Sequence, residues 1–127
     1  MSNLNEEDIA EYQETKEEII HSIDLDIKDL LCEWEDLIEE ASCKEVELFQ
    51  LKEWYSLESE KIISETDFKA LYGKNNADVR KQHVKTVLRD QYDSIKVLEF
   101  SLEWIGRRIS FIRELVKWKR TVKESEQ

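Results

Sequence analysis

The chain contains no proline and only two glycines, Gly73 and Gly106, in 127 residues. So few breakers leave little room for a turn-rich β architecture and favour long helices. There are two cysteines, Cys32 and Cys43, and two histidines, His21 and His83. On one helix the cysteines would stand roughly 16 Å apart at about 1.5 Å rise per residue, out of reach of a disulfide. Neither histidine has a second histidine or a cysteine three or four residues away, so the ligand spacing of a zinc site is absent. No apolar run approaches the roughly 18 residues needed to span a bilayer, and the polar, acidic start at residues 1–8 lacks the apolar centre of a signal peptide. These features point to a cytoplasmic protein with no membrane partner. Glycine-rich phosphate loops, a nucleophile elbow and Ser-His-Asp spacing are missing as well. The carboxylates are spread over helix surfaces rather than paired. No catalytic residue, metal or cofactor is therefore expected, and the chain reads as a non-enzyme.

What is present is helical periodicity. Val84, Leu88, Gln91, Ile95, Leu98, Leu102, Ile105, Ile109, Ile112 and Val116 follow one another at alternating three- and four-residue steps. Nine of these ten are aliphatic, as expected of a helix burying a seam against other helices. A second stripe, Val97, Phe100, Trp104, Phe111, Leu115 and Trp118, runs beside the first. A helix apolar on two flanks must be covered from two sides. An earlier stripe runs through Ile9, Tyr12, Ile19, Ile23, Ile27, Leu30, Trp34, Leu37 and Ala41, and continues at Leu48, Leu51, Tyr55 and Ile62. Its step is irregular near residues 21–26, where Ser22, Asp24 and Asp26 are good cap residues. The helix either restarts there or runs through with a local change of supercoil.

The clear break is Tyr72-Gly73-Lys74-Asn75-Asn76, with Asn76 placed to cap the following helix. The pattern predicts a single helical domain over residues 1–127: an acidic helical region at 9–71, a turn at 72–76 and a long helix at 77–122. Gly106, inside that helix, implies close approach of a neighbour or a kink. The expected fold class is all-α, a long helical hairpin with coiled-coil-like packing. A bare hairpin would expose Trp104, Phe111 and Trp118 together, a patch soluble monomers avoid. Assembly into a helical homo-oligomer is therefore expected, through Leu98, Leu102, Trp104, Ile105, Ile109, Phe111, Ile112, Val116 and Trp118. The three aromatics read as interface in preference to a base-stacking platform.

Charge is divided unevenly. Residues 1–72 carry 22 acids and 6 bases, net −16, whereas residues 73–127 carry 8 acids and 13 bases, net +5. The acidic face Glu33, Glu35, Asp36, Glu39, Glu40, Glu45 and Glu47 is a solvated helix surface or an imitation of a phosphate backbone. Lys74, Arg80, Lys81, Lys85 and Arg89 follow the turn, and Lys81, Lys85 and Arg89 share one helical stripe. Together with Lys69 they are the candidate nucleic-acid-binding residues, because phosphates require cations on one face. The same cations could instead pair with the acidic helix. A second cluster, Arg107, Arg108, Arg113, Lys117, Lys119, Arg120 and Lys123, lies where a helix C-terminus favours positive charge.

Two short motifs carry a resemblance. Asn76-Ala77-Asp78-Val79-Arg80-Lys81 resembles the opening of the final helix in many small phage and prophage proteins. Lys85-Thr86-Val87-Leu88, with Trp104 sixteen residues after Leu88, resembles the UvsY family of phage recombination mediators. The likeness covers about residues 69–120, with a looser match at Trp34. It implies a small, all-helical, ring-forming protein in a bacterial host cell that binds single-stranded DNA and helps load a RecA-like recombinase. One departure is visible. The family carries basic residues just before the segment resembling Tyr72-Gly73, and here Lys69 is the only cation in Glu65-Thr66-Asp67-Phe68-Lys69-Ala70-Leu71. A different expectation follows from the −16 of the first half: an acidic DNA mimic or inhibitor that occupies a basic cleft on a host defence or DNA-handling protein.

Overall fold

The structure, a computed structural model, describes residues 26–125. They are helical except at Asp26 and the short connections at 66–67, 73–76 and 88, with no strand among the described residues. We number the helices α1 (Ile27–Glu65), α2 (Phe68–Tyr72), α3 (Ala77–Val87) and α4 (Arg89–Ser125). The fold is all-α, with one long helix packing against another. The expected stripe over Ile9 to Ile23 lies outside the described residues. α1 begins where Asp26 caps it: Asp26 Oδ1 accepts from the Asp29 N–H at 2.9 Å and the Asp26 carbonyl accepts from Leu30 at 3.1 Å. That first hydrogen bond is also the main reason the Asp26 carboxyl is held below its ordinary range.

The described residues form two compact units, one from residues 26–39 and 107–125, the other from Glu40–Gly106. In the first, α1 buries Leu30 and Leu37, and α4 buries Ile112, Leu115 and Val116. Trp34 and Ile109 are half-buried in this unit. Arg108 ties its two helices, its Nε and Nη2 both donating to Glu33 Oε1 at 2.9 and 2.7 Å. The Arg108 guanidinium also lies 5.6 Å from the Phe111 ring centre. Arg108 is thus committed to packing and to an internal carboxylate.

In the second unit, Phe68, Val84, Leu88, Ile95, Leu98 and Ile105 are buried, and Leu48, Leu51, Tyr55, Ile62 and Leu102 are half-buried. The three-four seam read from sequence therefore coincides with the buried side of α3 and α4. The corner between α2 and α3 is closed by local chemistry. Asp67 caps α2 by accepting from Ala70, and Gly73 adopts a left-handed φ of 73° while its N–H donates to the Lys69 carbonyl. Asn76 Oδ1 accepts from the Val79 N–H at 2.9 Å and starts α3. Phe68 sits under this corner, edge-on to His83 at 5.3 Å between ring centres, and the Tyr72 hydroxyl shares a hydrogen bond with His83 Nδ1.

Two expectations about the last helix need amendment. The stretch anticipated as one helix over 77–122 is interrupted at Leu88, with φ −103° and ψ 35°, and resumes as α4 to Ser125. The backbone departs from helical values there while Leu88 stays buried, so the side chain holds its place in the core. Gly106 is exposed, and a Cβ built on it would meet nothing within 4 Å among the described residues. Among the described residues no neighbour approaches closely enough to account for that glycine, and α4 runs through it as helix.

Candidate nucleic-acid interface

The second unit contains a cleft of about 500 Å³. α1 contributes Tyr55, Ser59 and Ile63 at four-residue spacing, so all three project from one stripe. α3 contributes Arg80, Lys81, Val84 and Lys85, and α4 contributes Tyr92. The cleft combines an apolar floor with three cations. None of its ten described lining residues is acidic, in a chain that carries 30 carboxylate side chains and a net charge of −11.

Its aromatic wall is a pair. The Tyr55 and Tyr92 rings are 6.3 Å apart between centres and tilted by 48°. Lys85 Nζ lies 4.6 Å from the Tyr92 ring centre and Lys96 Nζ lies 5.3 Å from it, within cation–π range. Burial, and then the neighbouring Tyr92, pushes the Tyr55 hydroxyl above its ordinary pKa. It is therefore a neutral donor at physiological pH. Arg80 is steadied by the turn, with Nη1 donating to Asn75 Oδ1 at 2.8 Å. Among the described residues, no carboxylate lies within ion-pair distance of Arg80, Lys81 or Lys85. The pairing of these cations with the acidic helix, one reading of their charge, is not what the described residues make.

The candidate DNA-binding residues thus divide. Arg80, Lys81 and Lys85 are brought together on the cleft. Lys69 is exposed on α2 and Lys74 in the turn; neither lines the cleft. Arg89 continues the four-residue spacing of Lys81 and Lys85 in sequence, but it follows the break at Leu88 and is exposed outside the cleft. Sequence reasoning placed Tyr55 in a packing seam and passed over Tyr92. The available signal was Lys85, Tyr92 and Lys96 at seven- and four-residue spacing, a rhythm that brings two cations near one ring.

The candidate interface residues divide as well. Leu98, Ile105, Ile112 and Val116 are buried by the chain's own helices, and Leu102, Ile109 and Phe111 are half-buried. Trp104 and Trp118 remain exposed, at 45% and 57%. In the second unit Val97 and Phe100 join Trp104 on the uncovered flank of α4, at 64% and 66% exposure. The acids Glu35, Asp36, Glu39, Glu40, Glu45 and Glu47 are all exposed, while Glu33 is taken by Arg108.

Among the described residues there is no cluster of histidine, cysteine and carboxylate groups suited to a metal ion, and no helix long and apolar enough to cross a membrane. Cys32 and Cys43 are both free and exposed. The chain matches no known protein family, no characterised protein and no solved structure.

Proposed function

We propose that this chain is a non-enzymatic accessory of phage-type recombination, which oligomerises and holds single-stranded DNA for a RecA-like recombinase. The observation that carries the reading is the cleft of Arg80, Lys81 and Lys85, whose described lining holds no carboxylate in a strongly acidic chain. Clustered cations with no carboxylate partner among the described residues attract phosphate, and the aromatic wall beside them favours single strands over duplex. The uncovered Val97, Phe100 and Trp104 of α4 support assembly with further copies, because exposed apolar patches of this kind mark association surfaces. The recombinase partner rests on the UvsY resemblance of residues 69–120.

Fluorescence anisotropy with a labelled single-stranded oligonucleotide tests this. The full chain binds at low salt, and the triple variant Arg80→Ala, Lys81→Ala, Lys85→Ala does not. Absence of binding by the unsubstituted chain would remove the reading. A second reading is favoured by the exposed row Glu35, Asp36, Glu39, Glu45 and Glu47: an acidic DNA mimic or inhibitor that occupies a basic site on a host defence or DNA-handling protein. It requires no affinity for DNA, so the same titration separates the two.

A further inference from the structure

The cleft has more than a phosphate track requires. A track needs only cations along a surface, and Arg80, Lys81 and Lys85 would satisfy it. Here the cations line a concavity together with two tyrosines and the apolar Ile63 and Val84. Its size, about 500 Å³, falls within the range of small-molecule sites, roughly 300–1,000 Å³. The tyrosine rings are half-buried and set at 48° to each other, so they present an angled platform rather than a parallel slot. A flat ligand would lie against one face of that platform and would not be sandwiched. The remaining requirements are chemical: a planar ring for the tyrosines and at least one anionic group for the cations. With no carboxylate among the described lining residues, no like charge stands beside that anionic group there.

We infer that the cleft is a pocket for a single nucleotide, whose base lies against Tyr55 and Tyr92 and whose phosphate is held by Arg80, Lys81 and Lys85. This rests on the strand-binding reading above and deepens it. One nucleotide of a bound strand is turned into the cleft, and a free nucleoside monophosphate occupies the same place. Lys85, above the Tyr92 ring, swings off that face to the phosphate as the base takes its place. The neutral Tyr55 hydroxyl adds a hydrogen-bonding group that every base can use, so the pocket tolerates different bases.

The test is a competition titration on the full chain. A labelled oligothymidylate of about twelve nucleotides is bound, then displaced by thymidine monophosphate or by inorganic phosphate. The inference requires thymidine monophosphate to compete at concentrations on the order of tenfold or more below inorganic phosphate, reflecting the stacking of one base. Tyr92→Ala weakens both oligonucleotide and monophosphate on the order of tenfold, while Tyr92→Phe, which keeps the ring, stays near the unsubstituted chain. Circular dichroism of both variants confirms that the helices persist. If the oligonucleotide binds but Tyr92→Ala and thymidine monophosphate have no effect, the pocket is overturned and the phosphate track stands. Equal competition by inorganic phosphate and thymidine monophosphate also overturns it. If no oligonucleotide binds but isothermal titration shows thymidine monophosphate binding that Tyr92→Ala abolishes, the pocket stands and the strand-binding function falls.

Discussion

Removing the ring of Phe68 is the perturbation that joins fold to site most closely. Phe68 is 2% exposed on a helix of only five residues, and its ring lies 5.3 Å from His83 and 6.2 Å from Tyr72. Truncating a buried phenylalanine to alanine costs about 3–5 kcal/mol where the site cannot collapse. A short helix at a corner can yield, so Phe68→Ala is expected near the lower end, about 3 kcal/mol. For a chain of this size that is roughly a 10 °C fall in Tm. The companion variant Tyr72→Phe removes only the exposed hydroxyl that meets His83 Nδ1, which is worth at most about 1 kcal/mol. Urea and thermal denaturation followed by circular dichroism measure both. Phe68→Ala should also weaken oligonucleotide binding, because α3 and its cations start from this corner. A cost below about 1 kcal/mol for Phe68→Ala, or a larger loss from Tyr72→Phe, would refute the claim that apolar burial holds the corner.

Three further outcomes follow from particular contacts. The two glycines should respond oppositely to alanine: Gly73→Ala destabilises by about 1 kcal/mol because its φ of 73° is left-handed, and Gly106→Ala stabilises by up to about 1 kcal/mol because it is helical with open space around it, both read by urea midpoint. Arg108→Ala leaves the Glu33 carboxylate without the donors seen at 2.9 and 2.7 Å, and because Glu33 is partly solvated the expected loss is about 1–2 kcal/mol, measured in the same way. The Asp26 carboxyl titrates lower when folded than when unfolded, so its contribution to the start of α1 is present above the ordinary aspartate range and is lost as pH falls through its depressed value; in a pH series of helix content, Asp26→Asn should lose that dependence.

The fold was largely legible because helix seams are periodic. Val84, Ile95, Leu98, Ile105 and Ile112 were identifiable from spacing alone, and each is buried. Spacing does not say which helix covers a seam or how far along. Arg108 meets Glu33 across 75 residues, and nothing local to either residue announces the pair. The cleft is hidden for the same reason. Tyr55 and Tyr92 sit 37 positions apart and converge only once α1 and α4 are packed. The interruption at Leu88 has no glycine or proline to signal it. Arg89, one step beyond it, consequently falls outside a group that helical periodicity would have included.

The central claim is that three cations of one cleft hold phosphate. The most direct measurement is oligonucleotide affinity against salt concentration. Each phosphate contact with a single strand contributes about 0.7 to the slope of log affinity on log salt, so three contacts give a slope of about −2 and roughly a twentyfold loss between about 50 and 200 mM salt. Lys85→Ala should flatten that slope by about 0.7. A slope near zero, or one that the triple variant Arg80→Ala, Lys81→Ala, Lys85→Ala leaves intact, would contradict it.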